Sequence, residues 1–116
     1  MSAPHAAVFR VDVVGVERAL CAPACEEILE IVREGLRNAF THAQAASIVV
    51  TIAFEAHALR VTVRDDGRGI DDDTLRLRRR TGHWGLVGMR ERAERLGATL
   101  AIRRLTPHGT DVALAV

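Results

Sequence analysis

Glu34, Asn38 and His42 follow one another at four-residue intervals, which places a carboxylate, an amide and an imidazole on one face of a helix. Such a face can hold Mg²⁺ through oxygen and reach phosphate through nitrogen. Magnesium takes few protein oxygens beside water and substrate phosphates, so a single Asn oxygen is a share that fits. Taken alone, the stripe is better explained as a polar face making surface hydrogen bonds. A second group, Asp65-Asp66-Gly67-Arg68-Gly69, ends an alternating apolar run. Glycines let backbone approach a flat ligand, and a carboxylate at a strand end can accept a hydrogen bond from a base amino group. Asp-Gly is equally ordinary turn chemistry, and the run lacks the third glycine and following helix of a dinucleotide fingerprint. The third group, Gly82-His83-Trp84-Gly85-Leu86-Val87-Gly88-Met89, runs from a loop into a helix. Free N–H groups at such a start attract anions, and the glycines before it suit a mobile lid. A plain helix start with a packed Trp84 fits the same residues.

The elements that must position these groups are legible from periodicity. Residues 8–14 are β-rich, and residues 23–45 turn helical, with Ile28, Val32, Leu36, Ala39, Phe40 and Ala43 on one apolar stripe. Ile31 shares the side of Glu34 and Asn38, which argues against plain solvated surface there. Residues 47–54 and 59–63 alternate and are joined closely enough to form an antiparallel hairpin. Residues 71–74 can cap a short helix, 76–84 look irregular, and 85–96 are helical with Leu86, Met89, Ala93 and Leu96 inward. Residues 98–105 and 110–116 form two last strands around a turn at Thr106-Pro107-His108-Gly109. Strand pairs alternating with helices predict a two-layer α/β sandwich, a mostly antiparallel mixed sheet with helices on one face. The other face is left to solvent or to a partner.

The 116 residues suit one domain, residues 1–116, and 48% apolar residues suffice for a core. A net charge of +1 argues neither for a nucleic-acid binder nor for an acidic tail, and all 16 basic residues are Arg, whose fork suits phosphate oxygens. Cys21 and Cys25, with no second ligand pair, make a poor zinc site and are expected to be buried and reduced. No apolar run reaches the ~20 residues of a membrane span, and the opening residues lack the pattern of a signal peptide. The chain is expected to be soluble, whatever membrane attachment its parent has.

Order and spacing together resemble the ATPase domain of sensor histidine kinases, within the superfamily shared with gyrase, a heat-shock chaperone and mismatch-repair ATPases. Residues 33–43, Arg-Glu-Gly-Leu-Arg-Asn-Ala-Phe-Thr-His-Ala, are similar to its N box. Asp65-x-Gly67-x-Gly69 resembles its G1 box, Gly82 to Met89 its G2 region, and Gly109-Thr110 the pair often found on its last strands. The resemblance covers nearly the whole chain. It is nearest the branch reading Arg-Glu-x-x-x-Asn and then Gly-Leu-x-Gly-Met-Arg-Glu-Arg. It implies a Bergerat-type ATPase fold that binds ATP and Mg²⁺. Asn38 would ligate the metal, and Asp65 would accept from the adenine amino group, assisted by an ordered water near Thr110. Gly67 and Gly69 would line the base pocket; Gly85, Leu86 and Gly88 would belong to the phosphate-side lid; His42 would contact phosphate. Glu34 aligns with the water-activating position of the hydrolytic relatives; in a kinase of this type the nucleophile is a histidine rather than water.

Two departures stand out. Thr41 occupies a position where many relatives carry a basic residue, and Trp84 separates His83 from Gly85. The cluster Arg76, Arg78, Arg79 and Arg80 can compensate in charge, although a solvated loop is the simpler account of it. None of His5, His42, His57, His83 and His108 lies on a long helix ahead of the N box, where the family carries its phosphoacceptor. The implied partners are therefore a phosphoacceptor-histidine dimerisation domain of the same protein and a response regulator. The implied setting is cytoplasmic, in a homodimeric parent of the inner membrane, and the chain alone is expected to bind ATP·Mg without autophosphorylating. A stand-alone anti-sigma-type serine kinase and a degenerate nucleotide-sensing docking module are the competing readings. An empty site is expected to leave residues 75–84 disordered.

Overall fold

The computed structural model describes residues 8–70 and 85–116. In chain order these form β1 (Val8–Gly15), α1 (Ala22–Arg37), a π-turn (Asn38–His42), β2 (Ser47–Phe54), β3 (Leu59–Asp65), α2 (Leu86–Leu96), β4 (Thr99–Arg104) and β5 (Thr110–Ala115). The lid residues 75–84, the capping run 71–74 and the Arg76, Arg78, Arg79 and Arg80 cluster lie outside the described residues.

One sheet runs in the order β1-β2-β3-β5-β4. β1 lies parallel to β2, reached through α1, and every other pairing is antiparallel. The expected mixed, mostly antiparallel sheet is what forms. Strand alternation builds the core: Val50 stands beside Val63, Val63 beside Val112, and Val112 beside Ile102, all on one face and all buried. Ile31 from α1 and Leu86, Met89 and Ala93 from α2 close over that face. Arg18, in the β1–α1 connection, ties the β2–β3 turn by donating to the carbonyls of Glu55 at 2.6 Å and Ala58 at 3.1 Å.

The α1 helix starts with Cys21 in extended backbone and Pro23 in the first turn, where a missing N–H costs nothing. Against expectation, Cys21 and Cys25 are both exposed. They precede Ile31, the first buried residue of the helix. The apolar stripe also departs from expectation at one point. Ala39 and Ala43 are buried, but Phe40 is 46% exposed. The expected stripe assumed uniform α-helical steps through residue 45. Instead the Ala43 N–H bonds the Asn38 carbonyl five residues back, at 2.8 Å, and the Ala45 N–H bonds Ala39 at 2.9 Å. This wider turn accommodates an extra residue and swings Phe40 outward. Such turns occur frequently at functional sites.

The two helices are joined by Glu27, which accepts from Arg92 at 2.8 Å and from Arg95. The hydrogen bond from Arg95, then that from Arg92, holds the Glu27 carboxyl below its ordinary range against the opposing effect of burial. A depressed acid stabilises the fold above its unfolded value and loses that contribution as pH falls through the folded one. Glu27→Gln is therefore expected to flatten the acid limb of stability against pH, measured by denaturant titration at a series of acid pH values.

Candidate functional site

The site is assembled at the end of β3. Asp65, the last residue of that strand, lies beside Ile48 of β2 on one side and Thr110 of β5 on the other. Its carboxylate is buried, with the residue 6% exposed, and Oδ1 accepts the Gly67 N–H at 2.8 Å. Burial pushes the Asp65 carboxyl up, and the neighbouring Asp66 charge adds to this. Bonds from the backbone N–H groups of Gly67 and Thr110 oppose the rise. The result is a buried acceptor held in place by main chain.

Asp66 has the opposite task. Its Oδ1 accepts from Ser47 at 2.8 Å and Ala46 at 2.9 Å, and these bonds, Ser47 first, hold its carboxyl below the usual range. It pins the loop after β3 to the start of β2. The sequence marked Asp66 only as part of a polar turn, so this role was missed although the Asp-Asp pair was visible. Thr110 is 3% exposed, and its hydroxyl accepts the Ile70 N–H at 3.0 Å, which ties the far end of the same loop to β5. Gly69 packs against the stem of Arg104 and the Gly109 carbonyl. Gly109, at φ 114, passes so close to the Asp65 carbonyl that a Cβ there would collide with it.

Gly67 connects this loop to the helix side. A Cβ at 67 would stand 2.5 Å from both the Cβ and the carbonyl oxygen of Ala43, and the Arg68 N–H donates to that carbonyl at 3.1 Å. Ala43 directly follows the π-turn, which opens with Asn38, 5% exposed, and closes with the partly buried His42. Asn38, Asp65, Gly67, Gly69 and Thr110 thus belong to one connected structure. Thr41 is exposed and donates its hydroxyl to the Arg37 carbonyl at 2.6 Å.

Glu34 lies toward the other helix. It pairs with Arg37 at 3.2 Å, and its carboxylate sits against Gly85, at φ 63, so that a Cβ there would overlap it. Leu86 is 4% exposed in the core, so its contact with any ligand must run through main chain. Gly88 faces open space, with nothing within 4 Å of a Cβ placed on it. The structure therefore brings Glu34 and Gly85 together and leaves Gly88 apart from the Asp65 loop's contacts. A groove of about 470 Å³ lined by Cys21, Pro23, Ala24, Glu26, Glu27, Arg95 and Leu96 lies toward the opposite end of α1 and contains none of these groups.

The donor set suits a nucleotide: a buried carboxylate, glycines that let the loop's main chain pack closely against Ala43, Arg104 and Gly109, and a buried amide at a widened helical turn. Known proteins agree. Residues 25–116 match the family described as Histidine kinase-, DNA gyrase B-, and HSP90-like ATPase. The nitrate/nitrite sensor protein NarX of Escherichia coli is 38% identical over 85 residues, covering 73% of this chain and 14% of NarX. The nitrate/nitrite sensor protein NarQ of the same organism is 39% identical over 98 residues, covering 84% of this chain and 17% of NarQ. Among solved structures, the histidine kinase domain of the Erythrobacter litoralis EL346 blue-light activated histidine kinase superposes with a TM-score of 0.72. It is 32% identical and covers 94% of this chain and 54% of that one. The chain belongs to the histidine kinase-, DNA gyrase B-, and HSP90-like ATPase family and is an ATP-binding domain of the histidine-kinase kind.

Proposed function

We propose that the chain holds ATP with Mg²⁺ and presents the γ-phosphoryl group to a histidine on a separate dimerisation domain, from which it passes to a response regulator. The observation that carries this reading is the connection of the buried Asp65 loop to the Asn38 turn through the Gly67–Ala43 contact. One end of that structure suits a base, and the other suits metal-bound phosphates. Asp65 would accept from the adenine amino group, with Gly67 and Gly69 offering main chain to the base pocket and Thr110 near a bridging water. Asn38 would supply an oxygen to Mg²⁺, and His42 would reach phosphate. Gly85, Leu86 and Gly88 would present main chain on the phosphate side, at the N-terminus of α2. Magnesium bound there would draw the phosphate oxygens together and offset their charge. Glu34, engaged by Arg37 and set against Gly85, would order the start of α2 rather than activate water.

The chain covers only a small part of its sensor relatives, so the acceptor domain, the response regulator, the homodimeric membrane-bound parent and a cytoplasmic setting all belong to this proposal. Calorimetric titration of ATP, with and without Mg²⁺, tests it. Wild type is expected to bind with metal assistance, and Asn38→Ala to lose most of the difference between the two titrations. A folded wild type that takes up no nucleotide would leave a docking module instead.

A further inference from the structure

We propose that β1 is a self-pairing edge: it joins β1 of a second copy in antiparallel register about a two-fold axis through Val11. β1 ends the sheet, and among the described residues only β2 pairs with it. Its Val8 N–H bonds the Ala46 carbonyl at 2.8 Å, on the β2 side. Successive residues of a strand turn their N–H and C=O groups to opposite edges. Val8, Arg10, Asp12 and Val14 therefore face β2, while Phe9, Val11 and Val13 direct theirs outward.

The side chains show the same incompleteness. By register, Phe9, Val11 and Val13 stand beside Ile48, Val50 and Ile52 on the core face of the sheet. The β2 residues are covered, yet Phe9 is 53% exposed, Val11 48% and Val13 49%. On the opposite face of β1, Arg10 and Asp12 pair with each other at 3.1 Å.

Charge selects the register. An axis through Val11 sets Val11 against its own copy, Phe9 against Val13 and Arg10 against Asp12. The outward N–H and C=O groups of Phe9, Val11 and Val13 then fall at hydrogen-bonded pairs. Arg10 and Asp12 fall at the intervening positions, where opposed side chains are closest. An axis through Arg10 would oppose Arg with Arg, and one through Asp12 would oppose Asp with Asp. An axis perpendicular to the sheet keeps both helical layers on one side and merges the two Phe9, Val11 and Val13 rows into a single apolar strip.

Sedimentation velocity of the 116-residue chain over a range of concentrations tests this. The expected result is a reversible dimer that both Arg10→Asp and Asp12→Arg weaken about tenfold or more, because each opposes like charges twice across the axis. Both side chains are exposed, so the variants should keep the wild-type circular dichroism. Mixing the two variants should restore association at the wild-type level, since the acidic pair of one chain then meets the basic pair of the other. A chain that stays monomeric throughout would overturn the proposal. So would a dimer indifferent to both reversals, or a mixture associating no more tightly than either variant alone.

Discussion

Asp65→Asn is expected to lose roughly 10- to 150-fold in affinity for ATP and ADP without loss of fold stability. The affinity change corresponds to removing a hydrogen bond to a charged acceptor, worth about 1.5–3 kcal/mol. The second half of the expectation follows from the raised pKa of this carboxyl, which burial pushes up. An acid whose folded value lies above its unfolded one favours the folded state while protonated. It penalises that state as pH rises through the unfolded and then the folded value. Native Asp65 is therefore a burden on stability at neutral pH, since burial opposes its charge. An amide carries no such penalty and can still accept the Gly67 N–H through its own oxygen. Denaturant midpoints of the two chains at neutral pH should be equal or favour the variant, while isothermal titration shows the loss of binding. The same linkage makes wild-type affinity fall as pH drops through the raised value, with protons released on binding in that range. A variant that lost affinity only because it had unfolded would contradict this account.

Gly67→Ala should lose both properties together. The backbone at 67 lies outside the left-handed region that favours glycine, so the effect is one of contact rather than conformation. The added methyl would stand 2.5 Å from two atoms of Ala43, and neither of these is the free end of a flexible side chain. The loop must move away from the π-turn, at a cost of about 1–3 kcal/mol by comparison with other overpacked sites. That movement would separate the proposed base end from the proposed metal end, so affinity for ATP should fall by at least about tenfold, given how steeply binding depends on a prepositioned site. Thermal melting and nucleotide titration of one preparation read both losses. Asp65→Asn and Gly67→Ala thus separate the chemistry of the pocket from its assembly.

Much of this was legible from the residue order. The alternation in 47–54 and 59–63 predicts the β2–β3 hairpin because a sheet with one covered face imposes a period of two. Asp65 is recognisable because a carboxylate and two glycines interrupt such a run at its end. Asn38 is expected off the plain solvated surface and is buried, because it lies at the start of the altered turn, where helical spacing still holds. Phe40, two residues on, is misplaced for the same reason. Asn-Ala-Phe-Thr-His has no local signature of a π-turn. The turn is identified only by hydrogen bonds reaching across five residues, which depend on what the helix end must meet. The exposure of Cys21 and Cys25 escaped likewise, since composition favours buried thiols and only the position of α1 over the sheet shows which of its turns are covered. The parallel placement of β1 is a matter of topology, to which residues 8–14 hold no clue of their own.

The widened turn has a consequence for comparing chains. It acts as a phase slip of one residue, so everything after it is delivered one step later than an unbroken α-helix would deliver it. A related chain with an unbroken helix there must reach the same strand with one residue fewer. Comparisons that follow residue identity alone should then show a single-position gap between the equivalents of Asn38 and Asp65. Where that gap falls would show which relatives position the amide by widening the helix and which by another route.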